Sequence, residues 1–93
     1  MGVQEEITWL KDDPDRIAVF ISLGKLGQAT IRSLKDDMSI DDWWPVKYHV
    51  DNLVKRGLVN LKDGSYELAK DIGEKVFKGL ESEKFMGKEI KAV

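Results

Sequence analysis

The chain has 93 residues, of which 42% are hydrophobic and 34% are charged, and its formal net charge is −2. This length fits one small domain, and this composition excludes an intrinsically disordered protein. Cysteine is absent, which excludes disulfides, thiolate metal sites and cysteine nucleophiles. No apolar run approaches the roughly 20 residues of a membrane span, and residues 1–6 do not resemble a signal peptide, so we expect a cytoplasmic protein.

The charges are spread evenly along the sequence. The sequence pI is about 5.4, and the segments 1–38, 39–70 and 71–93 each hold at least as many acidic as basic side chains. A protein that binds nucleic acid usually has a basic region. Any surface that binds phosphate must therefore be created by folding.

The first half of the chain predicts three helices. A short helix over 5–11 is followed by a second over 14–24, for which Asp13 is the expected N-cap and Pro14 the first residue. The second helix is apolar on nearly every side, which indicates a central position in the core. Gly24 and Gly27 are expected to bracket a tight connection, and Thr30 to cap a third helix over 30–37.

The next predicted helix spans 43–56, with Asp42 as its N-cap and Gly57 as its end. A turn of 100° per residue lines up Val46, Val50 and Leu53 on one side. Trp43 falls at the edge of that apolar line, and we expect it at the edge of the core, where His49 should also pack. The opposite side carries the outward residues Trp44, Lys47, Tyr48, Asp51, Asn52 and Lys55.

A hairpin and a last helix complete the pattern. Two alternating runs, 58–61 and 65–68, flank Lys62-Asp63-Gly64, and Asp-Gly between such runs is a strong hairpin signal. An amphipathic helix is predicted over about 70–82. We expect a single α+β, mostly helical domain, with a core over about 13–80 and terminal extensions over 1–12 and 81–93.

This order of elements resembles the winged helix-turn-helix superfamily, in particular small ArsR- and MarR-type regulators of bacteria and archaea. The matching residues are Tyr48-His49-Val50, Leu53 and Gly57-Leu58-Val59, which resemble the middle of that family's recognition helix and its exit into the wing. The resemblance implies a three-helix core, a two-stranded β-hairpin wing and additional terminal helices. It also implies a DNA-binding transcriptional regulator with double-stranded DNA as partner.

In that family the recognition helix enters the major groove and the wing contacts the DNA backbone. Carried over by position, the resemblance implies DNA contacts from Gln28, Thr30, Arg32, Trp44, Lys47, Tyr48, Asn52, Lys55 and Lys62. Asp51 would lie among them. Arg56, beside Lys55, is either a phosphate contact or a cation placed to suit the helix dipole.

Several residues depart from the family pattern and favour an alternative. Trp43, Trp44 and Pro45 stand where serine, threonine, arginine or glutamine is usual, and the hairpin tip has a single lysine. Exposed tryptophan and tyrosine are typical anchors of protein interfaces. The alternative is a winged-helix module that binds a protein partner through Trp44 and Tyr48.

The two ends of the chain hold more apolar side chains than a domain of this size needs. Related regulators pair through their terminal helices, and we therefore expect a homodimer. Its interface is expected to use Ile7, Trp9, Leu10, Phe77, Leu80, Phe85 and Met86.

The sequence offers no pattern for catalysis or for a cofactor. It has one histidine, no phosphate-binding glycine motif and no metal-ligand spacing, so we expect neither an enzyme nor a metal site. Asp12, Asp13 and Asp15 are interpreted as capping and solvated carboxylates. A small-molecule effector between subunits stays open.

Overall fold

A computed structural model describes residues 2–82 and has an α+β architecture that is mostly helical. Within these residues the helices are α1 (Val3–Lys11), α2 (Pro14–Leu26), α3 (Ile31–Asp37), α4 (Trp43–Arg56) and α5 (Ile72–Ser82). The strands are β1 (Gln28–Ala29), β2 (Val59–Lys62) and β3 (Ser65–Leu68). They form one antiparallel sheet in the order β1-β3-β2.

The three predicted N-caps are confirmed. Asp13 Oδ1 accepts hydrogen bonds from the amides of Asp15 and Arg16 at 3.0 and 3.3 Å. Thr30 Oγ1 accepts from the Ser33 amide at 3.1 Å, and Asp42 Oδ1 accepts from the Trp44 amide at 3.1 Å. Each cap satisfies an amide that has no acceptor within its helix, which fixes where α2, α3 and α4 begin.

Gly57 and the Asp-Gly pair also act as predicted. Gly57 ends α4 with φ of 88° and ψ of 7°, and the following Leu58 amide donates to the Leu53 carbonyl at 3.1 Å. Asp63 and Gly64 both have positive φ, 53° and 81°, as a two-residue type I′ hairpin turn requires. The end of α4 and the register of β2 with β3 therefore follow from local sequence.

Two expectations about the first half of the chain are wrong. The sheet has three strands, because Gln28 and Ala29 pair with Glu67 and Tyr66 of β3. Gly24 lies within α2 and not in a connection. The ring of Phe77 from α5 occupies the space that a side chain at position 24 would need, so a larger residue there would displace that ring. The helix ends at Gly27, whose φ is 84°.

The core is shared by all five helices and the sheet, and it includes α1. Ile7 and Leu10 are 1% and 0% exposed, and α1 packs against α5 and α2. Residues 2–12 of the predicted N-terminal extension therefore pack as part of the core, because the apolar side of α1 is covered by α5. The remaining buried apolar residues are Ile17, Val19, Phe20, Leu23, Ala29, Leu34, Val46, Val50, Leu53, Leu58, Val59, Tyr66, Leu68, Val76 and Leu80.

Candidate functional site

Helix α4 has one fully buried side and one side open to solvent. Val46, Val50 and Leu53 are each 0% exposed and pack toward α2, α3 and β2. Trp44 and Tyr48, on the opposite side, are 57% and 52% exposed. We call the residues on this side the outer face of α4: Trp44, Lys47, Tyr48, Asp51, Asn52 and Lys55. The predicted division of this helix into a buried and an exposed side is confirmed.

Three aromatic side chains form a continuous exposed patch at the start of α4. The ring centroids of Trp43 and Trp44 are 6.0 Å apart at 85°, and those of Trp44 and Tyr48 are 6.3 Å apart at 40°. These spacings are those of favourable aromatic pairs. We call Trp43, Trp44 and Tyr48 the aromatic patch. Exposed apolar groups in contact with one another mark an interaction surface more strongly than scattered ones do.

The position of Trp43 differs from the one expected. Its side chain is 53% exposed and does not lie at the edge of the core. Helical periodicity places it near the apolar line, but it is the first residue of α4, and periodicity alone does not specify whether another element covers the end of a helix. Trp43 therefore adds to the aromatic patch.

The basic residue at the centre of the outer face is already paired. Lys47 Nζ lies 2.8 Å from Asp51 Oδ2, one helical turn away. The hydrogen bond that Lys47 donates to Asp51 raises the pKa of the Lys47 ammonium above its ordinary value of 10.5. Lys47 therefore stays charged at neutral pH, but its charge is largely offset.

Most of the other predicted DNA-contacting residues are exposed. Gln28, Thr30 and Arg32 are exposed around the start of α3, and the Thr30 hydroxyl is used as the helix cap. Asn52 is half-buried on α4, whereas Lys55 is exposed. Lys62 is exposed at the end of β2, beside the hairpin turn. Within residues 2–82 no carboxylate lies within ion-pair distance of Arg32, Lys55 or Lys62.

Arg56, at the end of α4, is held by α1. Its Nε lies 2.7 Å from Oε1 of Glu6, whose side chain is fully buried, and this hydrogen bond raises the pKa of Arg56. The guanidinium also lies 4.5 Å from the centre of the Trp9 ring, which Arg16 contacts at 3.9 Å. A phosphate role for Arg56 would require breaking a pair with a buried carboxylate, which is energetically costly.

The residues expected to form a homodimer are mostly used within the subunit. Ile7, Leu10 and Leu80 are at most 1% exposed because α1 packs on α5, so they cannot form a subunit contact in this fold. Trp9 and Phe77 are half-buried against the core. Phe85 and Met86 lie outside the described residues.

A second group of polar side chains lies beside the start of α2. One ligand atom from each of Asp13, Asp15 and His49 lies within 4.8 Å of the other two. His49 is 9% exposed, which confirms its expected packing on α4. No sequence pattern predicted this group, because His49 is far along the chain from both carboxylates and no local spacing links them.

The site therefore belongs to a small, mostly helical α+β domain with an exposed aromatic and weakly charged helix face. Comparisons with protein-family models, with curated proteins and with solved structures gave no significant match to this chain. Among the helices of residues 2–82, none combines the length and apolarity needed to cross a bilayer.

Proposed function

We propose that the chain is a winged-helix DNA-binding regulator that inserts the outer face of α4 into the major groove. The observation that carries this proposal is the arrangement of α3, α4 and the β2–β3 hairpin. A short helix precedes α4, the buried side of α4 is fixed at Val46, Val50 and Leu53, and its opposite side is exposed beside a tight hairpin. Helices held in this way are suited to contacting base edges.

The charges on this surface support weak and salt-sensitive binding. Arg32, Lys55 and Lys62 are exposed, and none of them has an ion-pair partner among residues 2–82. Three phosphate contacts correspond to a slope of about −3 in log K against log salt concentration. Asp41, Asp42 and Asp63 are exposed near the same surface and repel phosphate, so non-specific affinity should be low.

The hydrogen-bonding base contact in this proposal comes from Asn52, and the aromatic patch packs on thymine methyl groups. Asparagine reads adenine through paired hydrogen bonds, whereas an indole ring offers only apolar contact and a single donor. The expected preference is therefore for sites rich in A and T.

The experiment combines selection from random duplexes with a salt titration by fluorescence anisotropy. Lys55→Ala with Lys62→Ala should weaken binding to the selected duplex and make the salt slope shallower by about two. Lys75→Ala with Lys78→Ala, which removes the same charge from α5, is the matched control. The proposal fails if no duplex is enriched, or if both double variants bind as the wild type does.

A homodimer is part of this proposal. Two copies of α4 would contact half-sites about 34 Å apart on one side of the duplex. Because Ile7, Leu10 and Leu80 are buried within the subunit, the contact must use other side chains. Sedimentation equilibrium of the full chain that showed only monomer, both free and on a duplex with two half-sites, would contradict it.

The aromatic patch favours a second candidate, a module that binds a protein partner. Trp43, Trp44 and Tyr48 are each more than half exposed, and tryptophan and tyrosine are the residues most enriched in binding hot spots. Trp44→Ala should abolish such an interaction, and salt should change it little. DNA binding has the opposite pattern, with a strong salt dependence, so salt titration of the wild type and of Trp44→Ala separates the two candidates.

A further inference from the structure

The structure brings the only histidine of the chain against two carboxylates at the start of α2. One ring nitrogen of His49 and one oxygen from each of Asp13 and Asp15 lie within 4.8 Å of one another. Asp13 is the N-cap of α2 and Asp15 lies in its first turn, whereas His49 comes from the middle of α4. The group therefore links two helices that are distant in sequence.

The ring nitrogens of His49 have no hydrogen-bond partner among residues 2–82. The side chain is nine-tenths buried. The imidazole ring contacts the ring of Tyr48 in an edge-on arrangement, with ring centroids 5.2 Å apart. The ring nitrogens are not among the buried polar atoms that lack a partner in residues 2–82. They are therefore accessible from solvent and can bind a ligand.

A cavity provides the space for that ligand. It has a volume of about 220 Å³ and is lined by both Asp15 and His49, with apolar walls from Val19, Ile40 and Val46. A cavity of this size holds an ion with coordinated water. The polar side chains lie together at one part of a mostly apolar lining.

Both carboxylates retain oxygens that can bind a ligand. Asp13 uses Oδ1 to accept the amides of Asp15 and Arg16, which leaves Oδ2 for another partner. Asp15 is exposed, and its carboxylate accepts no hydrogen bond from residues 2–82. Two carboxylates and one imidazole form a donor set that suits a divalent transition-metal cation.

We propose that Asp13, Asp15 and His49 bind a first-row divalent transition-metal ion, with Zn²⁺ as the favoured ion and water as the fourth ligand. Imidazole favours Zn²⁺ over Mg²⁺ and Ca²⁺, which prefer oxygen ligands alone. Tetrahedral Zn²⁺ at about 2.0–2.2 Å from each ligand places its ligand atoms about 3.4 Å apart. The exposed Asp15 side chain closes the remaining distance by a change of rotamer.

The bound ion would connect the start of α2 to the middle of α4. Because His49 adjoins Tyr48 along the chain and contacts its ring, the ion would lie directly behind the aromatic patch. It would hold α4 in place without contacting a partner of the outer face. The proposed metal site does not depend on the proposed DNA binding, because none of its three residues belongs to the outer face of α4.

The test uses the full chain without a histidine tag, titrated with Zn²⁺ alone. Calorimetry should show saturable binding, and the imidazole resonances of His49, the only histidine, should shift in NMR spectra with the same saturation. Mg²⁺ should not shift them. Imidazole resonances that stay unchanged at saturating Zn²⁺ would overturn the proposal.

Matched variants test whether the carboxylates of Asp13 and Asp15 each bind the ion. Asp13→Asn keeps the N-cap because asparagine caps as well as aspartate does, and Asp15→Asn changes an exposed side chain. Each should weaken Zn²⁺ binding by roughly tenfold or more. Asp12→Asn, which removes a neighbouring carboxylate outside the group, should bind as the wild type does. Equal affinities for all three variants would overturn the proposal, and circular dichroism of each variant verifies its fold.

Discussion

Lys47 and Asp51 form an ion pair on the outer face of α4, with Nζ and Oδ2 2.8 Å apart. Both side chains are about two-fifths exposed, 42% and 43%, so the pair is in contact with water and contributes little to stability. Its main effect is on the surface potential, because it offsets the only lysine in the first half of α4.

Breaking this pair should strengthen binding to DNA. Asp51→Asn removes a carboxylate that repels phosphate and frees the Lys47 ammonium to contact one. We expect tighter binding at low salt and a salt slope steeper by about one, measured by fluorescence anisotropy. Glu74→Gln on α5 is the control, because it changes the net charge equally on another helix. A slope identical in both variants would show that Lys47 does not contact DNA.

The same pair sets the titration of Lys47. The folded-state pKa is raised above 10.5 by the hydrogen bond to Asp51, so the contribution of the pair to stability is fully present below that pH and is lost as the pH rises through the folded pKa. NMR detection of the lysine Nζ should show a higher pKa in the wild type than in Asp51→Asn. The same pKa in both proteins would contradict the observed pairing.

The two sides of α4 should respond differently to truncation. Leu53→Ala removes a fully buried side chain and should lower the free energy of unfolding by about 2–5 kcal/mol. Trp44→Ala removes an exposed side chain and should change it by less than about 1 kcal/mol. Urea unfolding followed by circular dichroism measures both. A large loss for Trp44→Ala would show that the aromatic patch supports the fold.

Gly73, in the first turn of α5, should tolerate no side chain. A Cβ at this position would meet the backbone carbonyl of Leu58, which also accepts the Ala69 amide at 2.9 Å. Backbone cannot move aside as a side chain can, so Gly73→Ala should destabilise the chain by about 1–3 kcal/mol. Lys75→Ala, an exposed change on the same helix, should stay within about 0.5 kcal/mol. A thermal unfolding midpoint that is the same for both variants would contradict this packing.

Features set by neighbouring residues could be predicted from the sequence, whereas contacts between distant residues could not. The caps at Asp13, Thr30 and Asp42 and the Asp63-Gly64 turn depend on a few consecutive residues, and all were predicted. Strand β1 has two residues, Gln28 and Ala29, which show no alternation and pair with residues 66 and 67. Its existence is therefore a property of the fold and not of a local pattern.

The candidate sites follow the same division. Periodicity predicted that Trp44, Tyr48 and Lys55 face outward, because burial in an amphipathic helix repeats about every 3.6 residues. Periodicity could not predict that Asp51 would pair with Lys47 and not with Lys55. Both lysines lie four residues from Asp51, and the choice between them depends on side-chain rotamers. The approach of His49 to Asp13 and Asp15 depends on how α4 crosses α2, which single-sequence patterns do not specify.

The distribution of tryptophan has a practical consequence for spectroscopy. Two of the three indoles, Trp43 and Trp44, lie in the aromatic patch, and the third, Trp9, contacts the guanidinium groups of Arg16 and Arg56. In a Trp9→Phe variant, all tryptophan emission would come from the patch. A partner that covers this patch should then shift the emission to shorter wavelength, so the native chromophores report binding without an added label.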